Sequence, residues 1–339
     1  MNYFIFGGAG FVGTHLTKLL KEIHPESMIY NLDIVEPVTQ MFTIKGYNAV
    51  LKEGEEVTSQ YIYCDVRKSI ELVTFTPTSE DVIFNFAAVH RTPGHPDQAY
   101  FETNIRGAEN VCAFAEKFGI KKIVFTSSIA PYGAAEDLKT EETLPTPNTP
   151  YGISKLVAEK IHTIWQAKQP NEQQLTIVRP GVVFGKGENG NFTRLYWGIR
   201  GGKFFYPGRK DTIKACIYVK ELVRFMLYRL ENHSEGVELY NCTFEPAFTI
   251  EQIVETMKKA TGLQRTIVKV PGSLLMTVAS IVGPLGGKAL GICPARVKKL
   301  MISTNICGKK LADSGYKFHY TFEEAIKDWY RDNDNKYLR

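Results

Sequence analysis

Tyr3-Phe4-Ile5-Phe6-Gly7-Gly8-Ala9-Gly10-Phe11-Val12-Gly13 changes character twice within a few residues. The apolar run Tyr3–Phe6 reads as a buried strand, and Phe11, Leu16, Leu19 and Leu20 continue at helical spacing to about Ile23. Between them stand Gly7, Gly10 and Gly13. Gly7 permits a tight turn, Gly10 lets a diphosphate approach the backbone, and Gly13 allows helix and strand to pack closely. The helix start at Phe11 and Val12 presents N–H groups and a positive dipole end to that anion. A lone glycine pattern is a weak signal, so the following segments decide what it means.

Met28 to Asp33 is a second strand ending in a carboxylate twenty positions beyond Gly13. A carboxylate there accepts both hydroxyls of an adenosine ribose and repels a 2′-phosphate. Lys45 is the first lysine or arginine after it, which favours NAD over NADP. A third strand, Tyr61 to Cys64, leads to Asp65-Val66, where Asp65 either faces an adenine edge or caps the turn before Ser69. A fourth, Asp81 to Phe86, runs into Ala87-Ala88, small enough for backbone to pass close to a ligand. His90 and Arg91 follow in a loop as candidate substrate contacts, against the alternative of solvated side chains.

Asn104 to Phe118 reads as a helix with Val111, Cys112, Ala115 and Phe118 on its apolar side. The strand Lys122 to Thr126 then ends in Ser127-Ser128, placing hydroxyls where ligands bind in open parallel sheets. After a Pro-rich loop, Thr140 to Pro150, comes Tyr151-Gly-Ile-Ser-Lys155. Tyrosine and lysine four apart share a helix face, so an ammonium is held beside a phenol and favours the phenolate. Leu175 to Val178 is a sixth strand, ending in Arg179-Pro180-Gly181. Strands alternating with helices, with every signal at a strand end, predict a doubly wound parallel α/β sheet.

Past Gly185 the alternation weakens. Cations and aromatics mix between Asn189 and Ile213, which reads as a mobile insertion, and Arg194 and Arg209 within it are the candidates for meeting a diphosphate. Helices are expected over Tyr218–Leu230, Thr249–Thr261 and Thr321–Asp332, and strands over Val237–Asn241 and Arg265–Val270. The apolar stretch Ser273–Ile292 is about as long as a membrane span. It holds Pro284, Lys288 and several glycines, so it reads as buried or groove-lining helix and no stable membrane insertion is expected.

The 339 residues are 44% hydrophobic and 23% charged, the composition of an ordinary globular protein. A net charge of +5, spread without blocks, suits an anionic small molecule and gives no footprint for nucleic acid. The six cysteines form no pattern with metal-ligand spacing, so no metal site is expected and a reduced, cytoplasmic compartment is the simplest reading.

Taken as an ordered set, Gly7-x-x-Gly10-x-x-Gly13, Asp33, Asp65-Val66, Asn85-x-Ala87-Ala88, Thr126-Ser127-Ser128, Tyr132-Gly133, Tyr151-x-x-x-Lys155 and Arg179-Pro180 resemble the extended short-chain dehydrogenase/reductases. Within these, the chain resembles the nucleotide-sugar epimerase/dehydratase branch over about Met1 to Leu230. The resemblance implies a Rossmann-type NAD domain, 1–180 with a return segment about 210–245, and a smaller mixed α/β substrate domain, predominantly 181–339. It implies that Tyr151 takes a proton from a sugar hydroxyl and returns it. Lys155 would hold the nicotinamide ribose and lower the Tyr151 pKa, while Ser128 would hydrogen-bond the reacting oxygen. Ser127 would contact substrate and Thr126 the cofactor. Asn104 matches the Asn of the family's Asn-x-x-Gly helix, which supports local backbone, and dimerisation through the helices at Asn104 and Tyr151 is a family expectation.

Departures narrow the function. The family's 4,6-dehydratases carry an Asp-Glu pair after the Ser128 position, and here Ile129-Ala130 follow, so water elimination lacks its acid and base. Pro131 and Lys220-Glu221 also depart from the pattern. The reading is an NAD-dependent nucleoside-diphosphate-sugar 4-epimerase working by transient hydride transfer. The alternatives are a 4-keto-sugar reductase or sterol-type hydroxyl dehydrogenase and, outside enzymes, a dinucleotide-binding sensor.

Overall fold

A computed structural model of the chain describes residues 1–36, 59–71, 76–90, 94–234, 236–273, 275, 280 and 301–339. β1 (Tyr3–Phe6) is buried along its whole length. Side chains alternate across a strand, so Tyr3 and Ile5 enter one core while Phe4 and Phe6 enter another. A strand with two apolar faces belongs in the middle of a covered parallel sheet. β1 pairs in parallel with both β2 (Ile29–Asp33) and β4 (Val82–Asn85). With β3 (Gln60–Tyr63), β5 (Lys122–Thr126), β6 (Gln174–Pro180) and β7 (Val237–Cys242), they form a seven-stranded sheet in the order β7-β6-β5-β4-β1-β2-β3. Every pairing in it is parallel. The chain reverses direction across the sheet between β1 and β4, and that crevice is where ligands bind in such folds.

Helices cover both faces. On one, α1 (Phe11–Ile23) and α5 (Val219–Glu231) bring Leu16, Leu20, Leu222 and Met226 against Tyr3, Ile5 and Phe84. On the other, α2 (Asp97–Phe118) and α3 (Pro150–Lys168) bring Phe114, Ala115, Ala158 and Trp165 against Phe4, Phe6 and Ile177. Burial of each such large apolar side chain contributes about 1.5–3 kcal/mol. α2 starts at Asp97, earlier than the expected Asn104, because Asp97 complements the helix dipole in a first turn that follows Pro96. Asn104 therefore lies inside the helix.

A second lobe forms around Phe184, Tyr218, Phe322 and Trp329. It includes a four-stranded sheet in the order Phe248–Thr249, Ile213–Lys214, Thr304–Ile306, Ala135–Lys139. The span between Asn189 and Ile213 differs from expectation. It contains α4 (Asn191–Arg200), which buries Phe192, Tyr196 and Ile199 in this core. Those residues follow i, i+4, i+7 spacing, which the interleaved Arg194 and Arg200 obscure in the sequence. The expected strand Arg265–Val270 shrinks to Lys269–Val270. α6 (Ile250–Thr261) and α7 (Phe322–Asp332) each start at a capping box, Thr249 with Gln252 and Thr321 with Glu324. Most of Ser273–Ile292 lies outside the described residues, and among the described residues no helix is long and apolar enough to cross a membrane. Among them too, no group of side chains could hold a metal ion.

Two buried histidines fasten helices to the rest. His162 on α3 stacks on Phe125 at 4.1 Å, its Nδ1–H donating to the Ala158 carbonyl at 2.7 Å while Nε2 accepts from Asn85 at 3.2 Å. His15 on α1 donates to the Lys186 carbonyl at 2.8 Å. Burial pushes both below the ordinary value, His162 to about 4 and His15 to about 3. The unfolded chain protonates near 6.5 and the folded chain resists, so stability falls as pH drops through the interval between those values. The melting temperature should decline from pH 7 to pH 4.5, and His162→Gln should flatten that decline whatever it does to absolute stability. An unchanged pH slope in the variant would show that His162 is not buried in the neutral form.

Candidate active site

The crevice between β1 and β4 is built to let a ligand touch backbone. Gly7 sits at φ +75°, and a Cβ on it would stand 2.7 Å from the Ala87 nitrogen. Only glycine fits there. Ala87 therefore borders the turn after β1. α1 begins with no side-chain cap and no acidic residue in its first turn, so its positive end at Gly10, Phe11, Val12 and Gly13 is open to an anion. At the end of β2, the Asp33 carboxylate accepts the Ala9 amide at 3.1 Å and the Val35 amide at 3.3 Å. It braces the glycine turn and retains lone pairs for a ribose. The Thr126 hydroxyl, at the end of β5, is buried without a partner. An uncapped helix start, a glycine-only approach, a strand-end carboxylate and an orphaned hydroxyl together fit a dinucleotide.

The proton-handling groups meet beside this crevice. Thr149 caps α3 by accepting the Gly152 amide at 3.1 Å, and Pro150 occupies the first turn, which fixes where Tyr151 starts. A Cβ on Gly152 would come within 2.7 Å of the Ala130 carbonyl, so the first turn of α3 lies directly on the turn after Ser128. That contact brings the Ser128 hydroxyl to the side of the Tyr151 phenol, where it favours the phenolate. Burial pushes the phenol above the ordinary tyrosine range, Ser128 pulls it back, and Tyr100, its ring 6.2 Å away, pushes it further up. Lys155, one turn on along α3, is 2% exposed with its ammonium 4.5 Å from the Phe125 ring centre. Burial pushes it down to about 7 while Glu159 opposes the fall.

Asn104 joins the two halves. It accepts the Val89 amide at 2.8 Å and donates to the Val89 carbonyl at 3.1 Å, and its Nδ2 donates to Ser154 at 2.8 Å. The strand end at Ala87-Ala88 is thereby fixed to the helix of Tyr151.

Other expected contacts fall elsewhere. Ser127, expected against substrate, is buried and donates to Glu159, so its hydroxyl is committed to the interior. Asp65 accepts the Arg67 guanidinium at 2.8 and 2.7 Å and the Arg67 amide at 3.1 Å, which caps its own turn. Val66 is buried under α2, against Gly107. Arg194 is exposed on α4 and bonded to Asn191, and Arg209 is held by Asp211 and Glu136. His90 is exposed, and Arg91 lies outside the described residues. The residue missed in the sequence is Glu159, which pairs with Arg179 at 2.8 and 2.6 Å behind Ser128. Its signal was a glutamate repeating the Tyr151–Lys155 spacing one turn on.

A buried lysine costs stability that an apolar residue of similar volume does not. Lys155→Met should therefore raise the melting temperature by several degrees while leaving α3 intact. A lower melting temperature, measured by calorimetry, would contradict the desolvation of Lys155.

A family model described as the NAD dependent epimerase/dehydratase family matches residues 3–243. N-acetyl-alpha-D-glucosaminyl-diphospho-ditrans,octacis-undecaprenol 4-epimerase of Escherichia coli O157:H7 is 30% identical, covering 96% of this chain and 93% of its own length. A bifunctional UDP-glucose 4-epimerase and UDP-xylose 4-epimerase of Pisum sativum is 31% identical, covering 97% of this chain and 95% of its own. The solved structure of UDP-glucuronic acid 4-epimerase from Bacillus cereus, in complex with NAD, matches with a TM-score of 0.70 at 20% identity, over 99% of this chain and all of that one. That last likeness is one of fold. The match over residues 3–243, with a glycine turn, Asp33 and the Ser128–Tyr151–Lys155 group inside it, establishes that the chain belongs to the NAD-dependent epimerase/dehydratase family.

Proposed function

We propose that the chain is a 4-epimerase of a sugar carried on a nucleoside diphosphate. The observation that carries this reading is the packing of the first turn of α3, which bears Tyr151, on the turn after Ser128, one helical turn from a buried Lys155 and beside a crevice that fits a dinucleotide. NAD bound there supplies a reversible acceptor for the C4 hydride. Tyr151 takes the proton of the C4 hydroxyl as that carbon is oxidised and returns it when the ketone is reduced on its other face. Ser128 donates to the same oxygen and fixes its position. Lys155, placed near neutrality, exchanges a proton within the working pH range and holds positive charge beside the reacting oxygen. The turn after Ser128 is Ile129-Ala130, with no carboxylate to expel water, which supports epimerisation over dehydration.

A second reading places a polyprenol on the far side of the diphosphate. It is supported by the Escherichia coli relative, whose printed substrate is of that kind and which matches almost end to end. The exposed Ile153, Val157 and Ile164 of α3 support a homodimer through α2 and α3. The five described cysteines are free, which supports a reducing, cytoplasmic compartment.

Purified protein should interconvert C4 epimers of a UDP-hexose, or of a polyprenyl-diphospho-N-acetylhexosamine, without added reductant. Tyr151→Phe should lower turnover about a thousandfold and leave NAD affinity nearly unchanged. Consumption of stoichiometric NADH with a keto sugar, with no interconversion of either epimer pair, would replace the epimerase by a reductase.

A further inference from the structure

Glu159 lies one turn beyond Lys155 and two beyond Tyr151 on α3, so the three side chains share a face. It is 4% exposed, and its carboxylate accepts three hydrogen bonds. Ser127 donates at 2.5 Å, and Arg179 donates through Nε at 2.8 Å and through Nη2 at 2.6 Å. Arg179 lies 4.7 Å over the Tyr132 ring, and the Tyr132 hydroxyl donates to Asn241 at 2.9 Å. One buried carboxylate thus joins β5, α3 and β6, with β7 attached through Tyr132.

A buried ion pair by itself is weak evidence for stability, because desolvation offsets most of its attraction. Its location is more informative. Glu159 binds the residue before Ser128 and stands one turn from Lys155, so it adjoins both partners of Tyr151. We propose that Glu159 is a positioning residue for this site, locking the Ser127-Ser128 turn onto α3 and serving as the buried anion that faces Lys155. The inference rests on the reading of Tyr151 and Lys155 as the proton-transfer pair. Titratable groups around Lys155 are Tyr151, Glu159 and His162 on α3, Tyr100 on α2 behind Tyr151, and Arg179 on β6 acting through Glu159. Phe125 on β5 offers its ring face. His162 is neutral, and Glu159 is the group that favours the charged lysine. Removing the carboxylate alone also leaves the Arg179 guanidinium as an unpaired neighbouring cation, which disfavours the charged lysine further.

The test uses the full chain labelled at lysine 13Cε and titrated by NMR, with the Lys155 signal assigned by its loss in Lys155→Met. Wild type should show this lysine titrating at about 7. In Glu159→Gln the midpoint should fall by about one pH unit, roughly tenfold in proton affinity. Glu159→Gln combined with Arg179→Met should return it towards wild type. The alkaline limb of kcat should move down with the lysine in Glu159→Gln, while KM changes less than about twofold. If Glu159→Gln does not fold, Glu159→Asp, which withdraws the charge by one methylene, should shift the midpoint in the same direction. A folded variant, by circular dichroism, with an unmoved Lys155 midpoint would overturn the proposal. A shifted midpoint in a protein that interconverts no C4 epimers would uphold Glu159 and remove the proposed function instead.

Discussion

Lys155 has been taken out of water, and the surrounding structure is arranged around that fact. Holding an ammonium at 2% exposure, where its proton affinity drops to about 7, costs on the order of 5 kcal/mol relative to a solvated lysine. A fold stable by only about 5–15 kcal/mol tolerates such a residue when its position is determined by much else. α3 meets that condition. Its start is fixed by Thr149 and Pro150, its first turn touches the Ala130 carbonyl through Gly152, and Asn104 ties its Ser154 to Val89. The lysine then has the Phe125 ring below it and Glu159 one turn away.

The parallel sheet supplies the remaining geometry. Every strand in it points the same way, so Gly7, Asp33, Ala87 and Thr126 all fall at or just beyond carboxyl ends along one edge. The reversal between β1 and β4 opens the crevice along that edge. Helix α3 crosses beside it and brings the phenol of Tyr151 to the end of β5. The site as proposed therefore combines backbone recognition of an anion with side-chain proton transfer, each supplied by a different part of the same βα repeat.

Much of this was legible in the chain because the signals are local. Gly7 to Gly13, Asp33 and the Tyr151–Lys155 spacing each act within one turn or one strand end, where residue type and conformation are tightly coupled. What stayed hidden depends on contacts distant in sequence. Ser127 and Ser128 are chemically identical neighbours, and only the arrival of Glu159 from α3 turns one inward and leaves the other to Tyr151. Asp65 had two readings, and Arg67, two residues on, decides how its carboxylate is used. α4 was masked by its own cations, since Phe192, Tyr196 and Ile199 reveal their face only once the second core is assembled. The depression of Lys155 likewise follows from burial, which no spacing rule reports.

The central claim is that one hydrogen leaves and returns to the same carbon while Tyr151 moves the proton of its oxygen. Following a diphosphate-linked sugar deuterated at C4 through many turnovers in ordinary water tests it most directly. The account predicts that the deuterium remains at C4 in both epimers. Replacement of that deuterium by solvent hydrogen would contradict it and require a mechanism that deprotonates carbon.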